Sequence, residues 1–180
     1  MTTFVAFLRG MNLGNRRITN DELCASFARI GFADASAFMA SGNVIFSADA
    51  TDQSALRETI ERGLRGELDY EVPTFLRDAG DIAHIADHTP FSEREVAATE
   101  GRLQVGLLHA APSPGAREAV LEHATDDDRL AVDGRELYWL PRAGISTADL
   151  DLTALGDDLG GITIRTHRTV QRLRARVAAG

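Results

Sequence analysis

The sequence predicts an α+β protein built from two ferredoxin-like plait subdomains, a βαββαβ unit followed by a decorated unit that contains βαββ. Three observations carry this prediction. Short apolar runs and amphipathic runs alternate over residues 1–77, the same order returns over residues 102–180, and each half has a tight-turn signal of its own.

Thr3 to Leu8 is an unbroken apolar run and reads as a buried strand. Thr19 to Ile30 reads as a helix: Thr19 and Glu22 have capping-box spacing, Leu23, Phe27 and Ile30 recur at helical intervals, and Gly31 ends the run. Ser36 to Ala40 and Asn43 to Ser47 flank Ser41-Gly42 as a hairpin. Asp52 to Leu68 carries Leu56, Ile60 and Leu64 every fourth residue, with Glu58 and Arg62 paired on the outer face. Val72 to Leu76 closes the unit as a strand. Residues 78–101 hold Ile82, Ile85 and Phe91 among acids, are broken at Thr89-Pro90, and read as connecting helices at a domain boundary. After them come a strand from Leu103 to His109, a helix from Gly115 to Ala124, and two strands, Arg129 to Asp133 and Glu136 to Leu140, joined at the turn signal Asp133-Gly134. Leu150 to Leu159 reads as a helix, Ile162 to Arg165 as a short strand and Thr169 to Val177 as a last helix.

Composition narrows the function. The chain has 180 residues, 27 acids and 19 basic residues, and all of the basic residues are arginine, so Schiff-base chemistry and a P-loop lysine are both excluded. A net charge of −8 argues against a nucleic-acid coat. The charge is uneven: residues 78–161 carry 6 arginines against 17 acids, and residues 162–180 carry 5 against none. Arg168, Arg172 and Arg176 fall on one stripe, where they suit the end of a helix dipole or complement the acidic middle of the same chain. One cysteine, Cys24, excludes an intrachain disulfide and a cysteine zinc cage and fits a reducing cytoplasm. Met1-Thr2-Thr3 runs straight into Phe4, so no secretory leader is expected, and no apolar run approaches the roughly 18 residues that span a bilayer.

The candidate site is a rim. Arg9-Gly10-Met11-Asn12-Leu13-Gly14-Asn15-Arg16-Arg17 leaves a strand and enters a helix, with glycines for close backbone approach, Asn12 to donate and accept, and three arginines around it. It matches neither the dinucleotide fingerprint nor a Walker motif, and no cofactor is expected. Plait topology puts the turn between the second and third strands at the end where the first strand exits, so Ser41, Gly42 and Asn43 belong beside Arg9, Gly10, Asn12, Gly14, Arg16 and Arg17. Such a set suits a small anionic or polar ligand, or simply locks two loops together. It includes no general base, so Ser41 is not read as a nucleophile.

The same residues carry a resemblance. Phe4 to Gly14 and Ser41 to Phe46 resemble the signature of the bacterial family catalogued as domain of unknown function 1697. Gly144-Ile145, Arg165 and Thr169-Val170 are similar to its C-terminal features. Thr166-His167-Arg168 replaces the family's Asn-Trp-Asn, and Asp149 stands where a lysine is usual. The resemblance implies tandem plait-like α/β subdomains and no established activity.

His84 and His88 are i, i+4 with no third ligand recognisable in the sequence, and His109, His123 and His167 have no evident partner, so no metal site is read. Cys24 reads as a small hydrophobe beside Leu23 and Phe27. Three function classes follow: a ligand-binding protein or enzyme using the rim, an interaction or scaffold protein without catalysis, and, last, a nucleic-acid module using Phe4, Phe7 and Phe46 as a stacking platform. The apolar neighbours of those phenylalanines point instead to a sheet covered on both faces.

Overall fold

A computed structural model of the chain describes residues 1–11, 17–39, 42–99, 102–142 and 150–179. It divides into two compact units, Met1–Ile82 with Leu173–Gly180, and Ala83–Arg172.

The first unit is a complete plait. β1 (Thr2–Leu8), α1 (Asn20–Arg29), β2 (Ser36–Ala37), β3 (Asn43–Ala48), α2 (Gln53–Leu68) and β4 (Thr74–Asp78) form an antiparallel sheet in the order β2-β3-β1-β4. Successive side chains of a strand face opposite ways, so Phe4, Ala6 and Leu8 join the core under the two helices while Val5 and Phe7 face the other side, and all five are buried. Phe4 lies opposite Phe46 with the rings stacked at 5.9 Å, and Phe27 and Phe32 close on Phe46 at 5.7 and 4.8 Å. Each such ring stabilises the core by about 1.5–3 kcal/mol.

α1 starts at the Thr19–Glu22 capping box: the Glu22 N–H donates to Thr19 Oγ1 at 3.2 Å and the Thr19 N–H to Glu22 Oε2 at 2.8 Å. The Thr19 N–H, together with the Thr19 hydroxyl that donates to the same oxygen at 2.8 Å, holds the Glu22 carboxyl below its usual range. α2 is capped by Asp52 and buries Leu56, Ile60 and Leu64 as their spacing predicts. β4 starts two residues later than its apolar run, because ladder pairing begins at Thr74 opposite Leu8 while the Pro73 carbonyl accepts the Arg9 N–H outside it. β2 is shorter than its run and stops at Ala37.

β4 passes without a loop into α3 (Ala79–Asp87), where the Asp81 N–H donates to Asp78 Oδ1 at 2.8 Å and the Asp78 N–H to Asp81 Oδ2 at 3.1 Å. α4 (Glu93–Ala98) follows with its own capping box from Ser92 to Glu95.

The second unit goes further than the decorated βαββ reading. β5 (Gln104–Leu108), α5 (Pro114–Glu122), β6 (Asp128–Asp133), β7 (Glu136–Pro141), α6 (Leu152–Asp158) and β8 (Ile162–Thr166) complete βαββαβ, with the sheet order β6-β7-β5-β8 that repeats the first. Asp133 and Glu136 close the β6–β7 hairpin, and Gly134 takes φ 55° in the turn, as Asp-Gly predicts. Leu108, Val120, Val132, Leu137, Leu155 and Ile162 form its core. β8 leads directly into α7 (His167–Ala178). No helix among the described residues is long and apolar enough to cross a membrane.

Candidate functional site

Strand order brings two segments of the predicted rim together. β3 is the neighbour of β1, so the turn before β3 meets the exit of β1, and the Leu8 N–H donates to the Gly42 carbonyl at 2.8 Å. Gly42 has φ 67°, and a Cβ there would lie 3.2 Å from the Leu8 carbonyl oxygen and 3.4 Å from Met11 Cγ, so only glycine fits without strain. Gly10 bends the chain out of β1 at φ 76°. Between them Arg9 is exposed, anchored through its backbone to Pro73 at 2.9 Å.

Arg9 forms no ion pair among the described residues. Glu71, the acid shortly before β4 at the same end of the sheet, pairs with Arg65 at 3.3 Å. That pair lines a cleft with Glu61, Arg62, Val72 and Pro73, the last of which accepts the Arg9 N–H through its carbonyl.

Asn43 differs in role. It is fully buried, its side-chain amide donates to the Phe38 carbonyl at 3.2 Å, and the Phe38 N–H returns to the Asn43 carbonyl at 2.8 Å. Its amide closes the β2–β3 turn. Arg17 is exposed and lines a groove between α1 and α2 with Glu22, Arg29 and Glu67. Asn12, Gly14, Arg16 and Ser41 lie outside the described residues.

The aromatics of the first sheet offer no stacking platform, since Phe4, Phe7 and Phe46 are 2%, 0% and 1% exposed. Cys24 is half-buried, and its Sγ accepts the Ala37 N–H at 3.2 Å.

Sequence spacing missed one cluster. In the second unit His84 Nε2 lies 2.8 Å from Asp133 Oδ2, and His88 Nε2 lies 3.8 Å from the same oxygen. The two imidazoles stack at 5.6 Å with their planes 15° apart, and His88 meets the Tyr138 ring edge-on at 5.1 Å. The hydrogen bond from His84, helped by the charges of His88, His84 and Arg117, holds the Asp133 carboxyl below its usual range. Asp133 stands 49 residues beyond His84, at the hairpin turn, and nothing local in the sequence announces that the turn meets the histidine pair.

A family model described as "Protein of unknown function (DUF1697)" matches residues 1–138. No curated protein matches the chain. Among solved structures, a conserved bacterial protein from Streptococcus pneumoniae is similar over 99% of each chain, with a TM-score of 0.77 at 18% sequence identity, a likeness of fold.

Proposed function

The chain belongs to the DUF1697 family of proteins of unknown function, and from that premise we propose that it binds a small anionic or strongly polar ligand at the rim where β1 leaves the first sheet. The contact between the Leu8 N–H and the Gly42 carbonyl carries the reading, because it gathers Gly10, Gly42 and an exposed Arg9 at one end of the sheet. Gly10, half-buried at positive φ, leaves backbone without a side chain beside Arg9, whose guanidinium adds a charge that no ordinary pH removes, while the buried Gly42 fixes the neighbouring turn. A carboxylate or phosphate meets both, through a bidentate pair to Arg9 and backbone N–H donors beside it. These residues supply donors and charge, a set suited to recognising an anion.

Thermal shift with a panel of nucleotides, sugar phosphates and dicarboxylates tests the reading. Wild type gains melting temperature with at least one anion, and Arg9→Ala loses that gain while keeping the unliganded melting temperature. If no anion shifts the wild type and Arg9→Ala lowers the unliganded melting temperature, the rim is architectural and the chain is an interaction or scaffold protein. The buried amide of Asn43 favours that second reading for the turn itself.

A further inference from the structure

We propose that His84, His88 and Asp133 bind a divalent first-row transition-metal ion, with Zn²⁺ as the representative, through three protein ligands and water. The three ligand atoms lie within 4.8 Å of one another. Donors about 2.0–2.2 Å from a shared zinc ion are about 3–3.5 Å apart, so an ion needs only a small inward movement of one side chain.

The arrangement of the two imidazoles supports the ion over a simple ion pair. A histidine–aspartate hydrogen bond needs one imidazole, and His84 supplies it at 2.8 Å. Yet His88 brings its Nε2 to the same carboxylate oxygen at 3.8 Å, held by one helical turn from His84 and by the edge of Tyr138. Two stacked imidazoles aimed at one oxygen repel if both are protonated, and of the two only His84 comes within hydrogen-bond distance of that oxygen, at 2.8 Å against 3.8 Å. A cation between the three groups uses both nitrogen lone pairs and the carboxylate charge together.

The donor set selects the class of ion. Two imidazoles and a carboxylate are borderline ligands, suited to Zn²⁺, Co²⁺, Ni²⁺ or Fe²⁺; Mg²⁺ and Ca²⁺ prefer oxygen alone and Cu⁺ prefers sulfur. The side chains of His84, His88 and Asp133 are 60%, 34% and 42% exposed, so an ion reaches the site from solvent and water fills its remaining positions. Arg117 is the opposing charge, but its guanidinium is also engaged, donating to the Val132 carbonyl at 3.1 Å. The ligands come from the last turn of α3, the residue that follows it and the β6–β7 hairpin, so the ion would tie a helix end to a turn.

Calorimetric titration of tag-free protein with ZnCl₂ at pH 7.5, and with CoCl₂ followed by its visible absorption, tests the site. One ion binds per chain, and His84→Ala, His88→Ala and Asp133→Asn each weaken binding by more than the roughly tenfold that loss of a merely supporting group produces. His123→Ala, a control at the end of α5, binds like wild type. Binding falls as pH drops through the imidazole range, because protons compete for the same nitrogens. The ring resonances of wild type need no variant: of the five histidines, Zn²⁺ shifts His84 and His88 most and leaves His109 and His123 in place. Wild type that takes up no ion, a His84→Ala/His88→Ala double variant that binds like wild type, or ring shifts spread over all five histidines overturns the proposal.

Discussion

Arg77 and Arg165 occupy the same place in the two plaits. Each is the last residue but one of the fourth strand of its unit, opposite a buried valine of the first strand, Val5 for Arg77 and Val105 for Arg165. Each donates from Nη1 to the carbonyl of the residue before it, at 2.7 Å to Leu76 and 2.9 Å to Ile164. Each is followed by a residue that caps a helix starting with no loop between: Asp78 accepts the Asp81 N–H, and the Thr166 hydroxyl accepts the Thr169 N–H at 3.1 Å. A guanidinium at this position satisfies carbonyls at the point where a ladder gives way to a helix. Burial pushes the Arg165 group down to about 10, still charged at neutral pH.

Arg77→Ala removes a fully buried group and leaves the Leu76 carbonyl without its guanidinium donor, at a cost of about 2–3 kcal/mol. Arg77→Lys recovers little of this, because an ammonium cannot reproduce the planar fork. Arg165→Ala costs less, since Arg165 is only half-buried. Urea denaturation of the three variants gives the order.

Gly42→Ala costs about 1–2 kcal/mol, from the left-handed backbone and the 3.2 Å approach to the Leu8 carbonyl together. Gly31→Ala separates the two causes: φ there is 105° with nothing within 4 Å, so only backbone strain acts. The urea midpoint of Gly42→Ala falls at unchanged slope, and an equal loss from a variant at Gly66, where a Cβ also meets open space, removes the argument.

Asp128→Ala leaves the indole N–H of Trp139 buried without the Oδ1 it now meets at 2.7 Å, and costs about 1–3 kcal/mol. Trp139 is the single tryptophan, so its fluorescence reports the unfolding of the second unit directly. A variant with the wild-type fluorescence transition contradicts the assigned role.

His167 makes the second unit sensitive to acid. Its ring is buried, with Nε2–H donating to the Ile85 carbonyl at 3.0 Å, and desolvation holds its pKa below the ordinary 6.5 despite that bond; the nearby charge of His88 acts in the same direction. Below pH 6.5 the unfolded chain takes a proton that the folded one declines, so unfolding free energy falls as pH drops from 6.5 through the lowered folded value and is unaffected by this group above 6.5. His167→Gln flattens that part of the stability profile, measured by urea midpoints between pH 7.5 and 5. An unchanged slope in the variant assigns the acid sensitivity elsewhere.

Local signals were legible and distant meetings were not. The Thr19–Glu22 box, the spacing of Leu56, Ile60 and Leu64, and Asp133-Gly134 are written within a few residues, and each forms as spacing predicts. Plait order then followed from the sequence of elements and put the Ser41–Asn43 turn at the end where the first strand exits; the contact of Gly42 with Leu8 came from the structure. The burial of Asn43 and the late start of β4 depend on neighbouring strands, because pairing and not apolarity decides where a ladder begins. The meeting of Asp133 with His84 depends on how a helix lies against a hairpin, which no short pattern encodes.

The residues Leu173–Gly180 count with the first unit although they follow the second along the chain, and Arg176 and Val177 line a cleft with Thr3, Asp34, Ile45 and Ser47. On a ribosome, the first plait to emerge is therefore the last to be finished. Its β1 to β4 sheet can form early, but the side later met by Arg176 and Val177 stays uncovered while some ninety residues of the second unit are synthesised. A nascent chain halted before Leu173 should hold that sheet with a more open surface, more readily bound by chaperones and cut by proteases, than the same sheet in the released protein.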